Sequence, residues 1–324
     1  MNTKHEKTIT VIGCGRWGSC LAWYCADLGY RVMMYGISGT ESYEVLKNTR
    51  QNGYLTLPDT ISLTTDLKEA LNFSDKVIIS ISSQNTPSLF SEIRETGIIN
   101  KIYLLCMKGL IEDTGMRLSE VAATYLDYTS RVVVWVGPGH VENFTRRIPS
   151  CMLIVSKDTD LAKGLCKEFS SDLIRFYYSD DLIGNEVGAA TKNVMGICAG
   201  ILDGMGLSTM KGPLMARGSR EIARLAVAMG GLESSIYGLS HLGDYEATLF
   251  SPHSHNRMFG ECIVRGTPYD KLAEGYSTVR AVMVLAKKYE VDMPICSALY
   301  EILYNGKDPR DAMENLLLRA LKSE

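Results

Sequence analysis

The feature that most constrains the fold is a regular alternation of strand-like and helix-like segments up to residue 180. Stretches with helical spacing, such as residues 18–28 and 115–126, separate short runs that are rich in β-branched residues. These runs are residues 8–12, 31–35, 76–81, 101–105, 131–136 and 151–155. Near-continuous apolar strands that alternate with helices predict a parallel sheet covered by helices on both faces.

The second half of the chain has a different pattern, because strand-like runs vanish after Tyr178. Helical spacing covers residues 185–202, 213–229, 278–289 and 309–321. We therefore place a domain boundary at Ser179-Asp180-Asp181 and predict an α/β domain over residues 1–180 followed by an all-helical domain over residues 181–324.

Composition excludes several classes of function. The chain has 324 residues, 46% hydrophobic and 22% charged, which suits two packed domains. Its net charge of -3 disfavours nucleic-acid binding, and the absence of a long apolar run predicts no stable membrane insertion. The nine cysteines form no CxxC pair and the run 8–12 does not look like a signal peptide, so we expect reduced thiols in a cytoplasmic protein.

A glycine motif joins the first predicted strand to the first helix. It reads Gly13-Cys14-Gly15-Arg16-Trp17-Gly18 and fits the pattern GxGxxG. In that context the first glycine permits a tight turn, the second lets a pyrophosphate approach the backbone, and the third allows close helix–strand packing. We predict a Rossmann-like dinucleotide site here, although a glycine-rich turn without a ligand has the same pattern. The candidate cofactor contacts are Gly13, Gly15, Arg16, Trp17 and Gly18.

The segment after the second strand bears on the choice of cofactor. An enzyme specific for NAD usually has an acidic residue there that binds the ribose 2′-hydroxyl, and this chain reads Tyr35-Gly36-Ile37-Ser38. No arginine is present for a 2′-phosphate, although Ser38, Thr40 or Lys47 are candidates to bind one. NAD and NADP both remain open, and the missing carboxylate favours NADP.

Three groups of residues in the second half carry possible chemistry. Lys192 and Asn193 follow several small residues on a predicted helix, where a lysine is either functional or extends along the edge of a core. Asp244 and Thr248 are four residues apart and would share a helix face, unless Asp244 is a helix cap. Ser254-His255-Asn256-Arg257 is polar and basic, and is otherwise a solvated loop.

In their order and spacing, these segments are similar to the NAD(P)-dependent glycerol-3-phosphate dehydrogenase family almost from end to end. The resemblance implies a Rossmann-like N-terminal domain and an all-α C-terminal domain, an architecture of the 6-phosphogluconate dehydrogenase-like type, with the site in the cleft between them. The segments that carry it are the glycine motif, Lys108-Gly109-Leu110, Gly137-Pro138, Gly188 to Val194, Arg217-Gly218, Gly238 to Asp244, Asn256-Arg257, Glu274 to Thr278 and Met293-Pro294-Ile295.

The resemblance also implies residue roles. Lys192 is the expected proton donor to the oxygen that gains charge during hydride transfer, with Asp244 holding it, Thr248 in the same network and Lys108 as a second cation. Asn193 and Asn256 are the expected ligands of the substrate phosphate. The further contacts that it implies are Gly137, His255, Lys108, Lys192 and Asp244 for the substrate, and Lys108, Asn256 and Glu274 for the cofactor.

The chain departs from the family pattern in two places. Gly139-His140-Val141 follows Gly137-Pro138 where the family has Ser or Asn, an apolar residue and Ala, and His255 stands where the family has arginine. Histidine does not reproduce a bidentate arginine, so Arg257 or Arg217 are candidates to compensate. His140 is either a replacement donor or, more commonly for such a turn, a structural residue.

The expected function is the reversible NAD(P)H-dependent reduction of dihydroxyacetone phosphate to sn-glycerol 3-phosphate, which supplies phospholipid synthesis. No metal is expected, and a homodimer is an open possibility. The first alternative is a related two-domain dehydrogenase acting on another 2-oxo or phosphorylated substrate. The second is a metal enzyme using His241, Asp244, His253 and His255, and the third is a redox-sensing module that binds the nucleotide without turnover.

Overall fold

The computed structural model describes residues 7–320, so that Leu321, the predicted end of the last helix, lies outside the described residues. The chain divides into two compact units. The first contains the residues up to Met107 together with Leu118–Asp180, and the second contains Lys108–Arg117 together with the residues from Asp181 onward. The segment 108–117 therefore belongs to the helical unit, whereas a single boundary at residue 180 assigns it to the first. Leu110 explains this placement, since it is fully buried in the second core.

The first unit is built on one sheet of eight strands. Their spatial order is β3-β2-β1-β4-β5-β6-β7-β8. The strands are β1 (Thr8–Ile12), β2 (Arg31–Tyr35), β3 (Ile61–Thr64), β4 (Lys76–Ile79), β5 (Ile102–Leu105), β6 (Arg131–Val136), β7 (Ser150–Val155) and β8 (Ile174–Ser179). The first six strands are parallel, as predicted, whereas β7 pairs antiparallel with β6 and β8 pairs parallel with β7. The chain order reverses between β1 and β4, and open α/β sheets bind ligands at such a point.

Seven helices connect these strands. They are α1 (Arg16–Asp27), α2 (Glu41–Thr49), α3 (Leu67–Phe73), α4 (Thr86–Thr96), α5 (Leu118–Tyr125), α6 (Val141–Thr145) and α7 (Thr159–Phe169). Asp66 and Asp158 cap α3 and α7 by accepting hydrogen bonds from backbone N–H groups of the first turn. By contrast, the N-cap residue of α1 is Gly15, which has no side chain that could cap the helix. The first N–H groups of α1 are therefore available to a ligand.

The second unit is helical, as predicted. Its helices are α8 (Leu182–Gly204), α9 (Lys211–Ala228), α10 (Glu233–Ile236), α11 (His255–Arg265), α12 (Gly275–Tyr289), α13 (Pro294–Asn305) and α14 (Pro309–Leu317). Two short segments precede α11, a 3-10 turn at Leu242–Asp244 and a π-helical turn at Glu246–Phe250. No helix in residues 7–320 is both long and apolar enough to cross a membrane.

The central helix α8 carries glycines at four-residue intervals, which allow close packing. Gly196, Gly200 and Gly204 face α11, and a Cβ on Gly200 would lie 1.9 Å from the carbonyl oxygen of Arg257. Gly184 and Gly188 continue the series toward the N-terminus of α8, and Lys192 occupies the position between Gly188 and Gly196. Lys192 is thus the one long side chain in a row of glycines, on a helix packed tightly against its neighbours.

Candidate functional site

A cluster of two lysines and one aspartate lies at the middle of α8. The Lys192 Nζ is 2.8 Å from Asp244 Oδ2 and donates to Thr248 Oγ1 at 2.7 Å. The Lys108 Nζ donates to the same Asp244 Oδ2, also at 2.8 Å. All four residues belong to the second unit, and Lys192 and Asp244 are 6% and 1% exposed. The structure thus brings together the four residues that the sequence analysis assigned to catalysis.

Burial changes the proton affinity of Lys192. Desolvation lowers the pKa of this ammonium from 10.5 to about 8, the Asp244 carboxylate opposes the change, and the Lys108 charge adds to it. A single carboxylate therefore serves two cations, so the cluster carries an excess positive charge. Such a cluster attracts an anion and holds a lysine that loses its proton far more easily than an exposed one.

A hydrogen bond from the Thr248 side chain holds the backbone of Asp244. Its carbonyl oxygen accepts a hydrogen bond from Thr248 Oγ1 at 2.7 Å, so the threonine connects Asp244 to Lys192. Its second carboxylate oxygen, Oδ1, is buried and has no hydrogen-bond partner among the described residues. A buried carboxylate oxygen without a partner is costly, so Oδ1 is a candidate acceptor for a hydroxyl group of a ligand.

Asn193 positions Lys108. The Asn193 amide nitrogen donates to the Lys108 carbonyl oxygen at 3.0 Å, and Arg117, at the other end of the segment 108–117, lies 2.6 Å from Glu186 on α8. The segment is therefore fixed to α8 at both ends, and Lys108 reaches Asp244 from a rigid support. The Asn193 amide nitrogen has a second N–H donor, so its assignment to the substrate phosphate stays a prediction.

His255 and Asn256 lie in the first turn of α11 and not in a solvated loop. Ser254 caps the helix through its hydroxyl oxygen, which accepts from Arg257 N. The Asn256 Oδ1 accepts from Gly275 N at 2.9 Å and so ties α11 to the start of α12, next to Glu274. The His255 Nδ1 is 2.6 Å from the Tyr269 hydroxyl. Glu274 lies close enough to Lys192 to raise the pKa of the lysine slightly.

The two arginines named as candidates to replace the missing one have other surroundings in the structure, and their role stays a prediction. Arg257 is 2.8 Å from Asp203 and 3.0 Å from Glu261, so its guanidinium is fixed at the C-terminal end of α8. Asp203 lies eleven residues after Lys192, which is about 16 Å along a helix. Arg217 lines an apolar cavity of about 420 Å³ formed by α8, α9, α13 and α14.

The histidines and aspartate of the metal hypothesis do not converge. Residues 7–320 contain no group of three or more His, Cys, Asp and Glu side chains that is arranged to hold a metal ion. His241 is fully buried, with its ring nitrogens 2.8 Å from Gly188 O and 2.6 Å from the Tyr245 hydroxyl, and Asp244 Oδ2 is occupied by the two lysines. The interpretation of these residues as a metal site is therefore not supported.

The glycine motif in the first unit has the geometry that the sequence predicted. Gly13 has a φ of +117°, and a Cβ there would lie 2.0 Å from the Ser80 carbonyl oxygen. A Cβ on Gly18 would lie 2.1 Å from the Gly13 carbonyl oxygen. At Gly15, a Cβ would meet no atom of the described chain within 4 Å, so open space lies beside the start of α1. That space is where a pyrophosphate would meet the N–H groups of the helix.

Two side chains next to this space have unused donors. Arg16 forms an ion pair with Glu142 and stacks over the Tyr54 ring, yet its Nε is buried and lacks a partner within residues 7–320. The Trp17 Nε1 is likewise buried and unpartnered in that range, and its ring packs against Phe144. Buried donors without a partner among residues 7–320 are suited to bind an anionic group of a ligand.

The structure also shows where two further groups of residues lie, those considered for the choice of cofactor and those of the segment 137–140, which departs from the family pattern. Thr40 begins α2 and donates its hydroxyl to the Ile37 carbonyl oxygen, while Ser38 and Lys47 are exposed. Gly137 has a φ of +130° at the turn after β6. A Cβ on Gly139 would lie 2.6 Å from the Phe144 ring, so the departure at Gly139 follows from the aromatic packing beside it. His140 is the N-cap residue of α6, and its side chain makes no capping hydrogen bond.

The buried pair of His241 and Tyr245, which lies directly beside the lysine cluster, was not predicted from the sequence. His241 was considered only as a metal ligand, and Tyr245 was not a candidate for any role. The glycines at positions 184, 188, 196, 200 and 204 were a usable signal, because they mark the face of α8 on which Lys192 and the contact with His241 both lie.

Known proteins of one family are similar to this chain over nearly its whole length. The family models for the N-terminus and the C-terminus of NAD-dependent glycerol-3-phosphate dehydrogenase match residues 8–162 and 181–314. Glycerol-3-phosphate dehydrogenase (NAD(P)+) of Chlorobium phaeobacteroides is 34% identical, and that of Thermoanaerobacter sp. is 33% identical, each over 98% of both chains. The crystal structure of glycerol-3-phosphate dehydrogenase from Coxiella burnetii superposes with a TM-score of 0.90 at 28% identity, covering 97% of this chain and 99% of that one.

Proposed function

The chain belongs to the NAD-dependent glycerol-3-phosphate dehydrogenase family, and we propose that it reduces dihydroxyacetone phosphate reversibly to sn-glycerol 3-phosphate with Lys192 as the proton donor. The observation that carries the assignment of Lys192 is its buried ammonium, which shares the single oxygen Asp244 Oδ2 with Lys108. Burial and the Lys108 charge together lower the pKa of this ammonium to about 8, which suits a proton donor that works near neutral pH.

The dinucleotide fits the first unit. Its pyrophosphate would lie in the open space beside Gly15, where the N–H groups at the start of α1 and the unpartnered donors of Arg16 and Trp17 point to an anion. Gly13 and Gly18 hold the turn that creates this space. The reduced nicotinamide supplies the hydride, and the residues of the second unit control the charge and the proton on the substrate.

Lys192 supplies the proton in this proposal. When the substrate carbonyl carbon accepts a hydride, its oxygen gains negative charge, and a nearby ammonium both stabilises that charge and donates a proton. Because its pKa is lowered to about 8, Lys192 is largely protonated at neutral pH and yet gives up its proton readily. Reduction should therefore slow as the pH rises through about 8, and oxidation of the alcohol, which needs neutral Lys192, should speed up over the same range.

Lys108 and Asp244 support the reaction by their charges. The Lys108 ammonium is a second positive charge beside Asp244 Oδ2. It favours binding of the anionic substrate and stabilises the developing alkoxide. Asp244 fixes both ammonium groups, and its unpartnered Oδ1 is suited to accept the substrate hydroxyl. Thr248 completes the network by accepting from Lys192 and donating to the Asp244 carbonyl oxygen.

The substrate phosphate is proposed to bind near α11 and α12. His255 and Asn256 occupy the first turn of α11, whose N–H groups attract anions, and Asn256 joins this turn to Gly275 at the start of α12. Asn193 and Gly137 complete the proposed substrate contacts, and Glu274 and Asn256 the proposed cofactor contacts. The His255 ring, bonded to Tyr269, replaces the arginine of the family pattern at this point.

We propose NADPH as the preferred cofactor. The segment after β2 lacks the carboxylate that would bind a ribose 2′-hydroxyl, and exposed Ser38 and Lys47 lie on either side of the start of α2. We also propose that the enzyme works in the cytoplasm, supplies glycerol phosphate for phospholipid synthesis and forms a homodimer. Size-exclusion chromatography with light scattering tests the homodimer independently of activity.

Oxidation of NADH and NADPH, followed by the absorbance of the reduced nicotinamide, tests the proposed activity. The assay uses dihydroxyacetone phosphate as the substrate and a panel of 2-oxo acids as the comparison. Rapid oxidation with dihydroxyacetone phosphate supports the proposal, and the ratio of the two cofactors decides the preference. If only a 2-oxo acid is reduced, the proposed substrate is wrong. If both cofactors bind and nothing is reduced, the chain is a binding module.

A further inference from the structure

His241 is a fully buried histidine that the reaction described above does not use. It lies just before the short turn Leu242–Asp244, in the second unit. Burial lowers its pKa to about 4, so the ring is neutral near pH 7. The charged groups that act on the ring are Lys192 from α8, which lowers its pKa, and Asp244 from the adjoining turn, which raises it.

The hydrogen bonds of the ring fix its tautomer. Nδ1 is 2.8 Å from the Gly188 carbonyl oxygen, which can only accept, so Nδ1 carries the proton. Nε2 therefore accepts from the Tyr245 hydroxyl, 2.6 Å away. Tyr245 is also fully buried, and the Ser219 hydroxyl on α9 lies 3.4 Å from its oxygen. The imidazole is thus held from both sides and cannot turn without breaking a buried hydrogen bond.

The contact with α8 is made one helical turn before Lys192. Gly188 lacks a side chain, and a Cβ there would lie 3.1 Å from His241 Cβ, so the ring can approach the helix backbone closely. The Asp244 backbone N–H donates to the His241 carbonyl oxygen at 3.0 Å. One residue therefore bonds α8 through its ring and Asp244 through its backbone.

We propose that His241, supported by Tyr245, is a positioning residue that holds the turn carrying Asp244 against α8 and so keeps the Asp244 carboxylate at hydrogen-bonding distance from Lys192. This inference rests on the proposed function of Lys192 and deepens it. If the turn moves away, Lys192 loses its ion pair with Asp244, while the desolvation by α8, the Lys108 charge and the weaker effect of Glu274 remain.

Three variants test the proposal. His241→Leu removes the donor to Gly188 at similar volume, whereas His241→Asn places an amide nitrogen near the former position of Nδ1 and can restore that bond. Tyr245→Phe removes only the hydroxyl that holds Nε2. Tyr304→Phe is the matched control, because it deletes a tyrosine hydroxyl of the same unit that bonds Glu112 and the Tyr276 carbonyl oxygen instead.

The first measurement is the pH dependence of kcat for dihydroxyacetone phosphate reduction. With less support from Asp244, the Lys192 ammonium loses its proton more easily, so the alkaline limb should move about one unit to lower pH in His241→Leu and in Tyr245→Phe. The kcat should therefore fall about twofold at pH 7 and about tenfold at pH 9, with the Kd for the reduced cofactor within about twofold of wild type. His241→Asn should recover most of the wild-type profile, and Tyr304→Phe should retain all of it.

The second measurement does not depend on turnover. The pH dependence of Lys192 labelling by an amine-reactive reagent, followed by peptide mass spectrometry, reports the proton affinity of Lys192 directly. A wild-type labelling profile in His241→Leu and Tyr245→Phe, with both variants folded, would overturn the positioning role. A labelling profile that shifts in the two variants, in a protein whose wild type turns over no substrate, would keep the positioning role and reject the proposed function instead.

Discussion

At the scale of single residues, Lys192 is set apart from the other lysines by its surroundings. It lies in a row of glycines on α8, is almost fully buried, and shares its carboxylate partner with a second lysine. Burial destabilises the charged ammonium, and the carboxylate that it shares with Lys108 offsets this only in part. The pKa of the ammonium therefore falls to about 8. A reactive amine follows from burial and charge together, with no unusual covalent chemistry.

Replacing Lys192 with alanine should remove catalysis and spare cofactor binding. We expect Lys192→Ala to lower kcat by about three orders of magnitude or more, because the lost ammonium acts on charge that develops only during the reaction. The Kd for NADPH should stay within about threefold of wild type, since the proposed cofactor contacts at the glycine motif lie in the other unit. Steady-state kinetics and fluorescence titration measure the two quantities, and near-normal turnover would contradict the assignment.

Asp244 should be sensitive even to an isosteric change. In Asp244→Asn the amide keeps the shape but withdraws the negative charge that serves Lys192 and Lys108, leaving two buried ammonium groups beside each other. We expect kcat to fall by about 100-fold or more in a folded protein. Circular dichroism and thermal unfolding provide the control. A variant that loses only thermal stability would show that Asp244 has a structural role.

His255 is the residue at which this chain leaves the family pattern. Its Nδ1 lies 2.6 Å from the Tyr269 hydroxyl, and an imidazole ring cannot form the bidentate pair of hydrogen bonds that a guanidinium makes with a phosphate. We expect His255→Arg to lower the KM for the phosphorylated substrate by about fivefold, with Tyr269→Phe as the control for loss of the hydroxyl alone. An unchanged KM in the arginine variant would place phosphate recognition elsewhere.

At the scale of elements, the sequence predicted the strands at the centre of the sheet and missed those at its two edges. Six strand-like runs correspond to β1, β2, β4, β5, β6 and β7 within two residues at either end, whereas β3 and β8 were not identified. Central strands are buried on both faces and are continuously apolar. Edge strands alternate with exposed positions, as the sequence Ile-Arg-Phe-Tyr-Tyr-Ser of β8 does, and lack that signal.

The candidate site was predictable to the same partial extent. The four-residue spacing predicted that Asp244 and Thr248 share a helix face, and resemblance joined them to Lys192 and Lys108. The structure has a 3-10 turn at Asp244 and a π-helical turn at Thr248 instead of one α-helix. Sequence could not reveal that the Asn193 amide bonds the Lys108 carbonyl or that His241 bonds Gly188, because each contact joins segments about 50 to 85 residues apart and depends on the packing of α8. The assigned roles of all these residues remain predictions.

The glycines of α8 make a prediction about packing. A Cβ on Gly200 would lie 1.9 Å from the Arg257 carbonyl oxygen, so Gly200→Ala must push α11 away from α8. We expect it to lower the free energy of unfolding by about 2 kcal/mol or more, as overpacked cores do. Gly212→Ala is the matched control in the same unit, because a Cβ there meets no described atom within 4 Å, and it should be neutral or slightly stabilising. Urea unfolding compares the two variants.

At the scale of the whole molecule, the chain passes between its two units three times. It enters the second unit at Lys108, returns to the first at Leu118 and leaves again at Asp181. Within the segment 108–117, an isolated β-bridge pairs Leu110 with Arg117. The same segment contributes the catalytic candidate Lys108 to the helical unit. A single cut at residue 180 would therefore divide the proposed active site and separate Leu110 from the core that buries it.

This connectivity predicts how the first unit behaves in isolation. In a fragment ending at Asp180, Leu110 loses the core that buries it fully and Arg117 loses Glu186, so residues 108–117 become an exposed loop with the apolar Leu110 side chain in solvent. Replacing those residues with a short glycine–serine linker should improve solubility, since the bridged ends of the segment are already close together. Both fragments should bind the reduced cofactor with similar affinity if the glycine motif carries the binding. Sedimentation of the two fragments and cofactor fluorescence decide this, and equal aggregation of both would mean that the first unit needs more of the second than this segment alone.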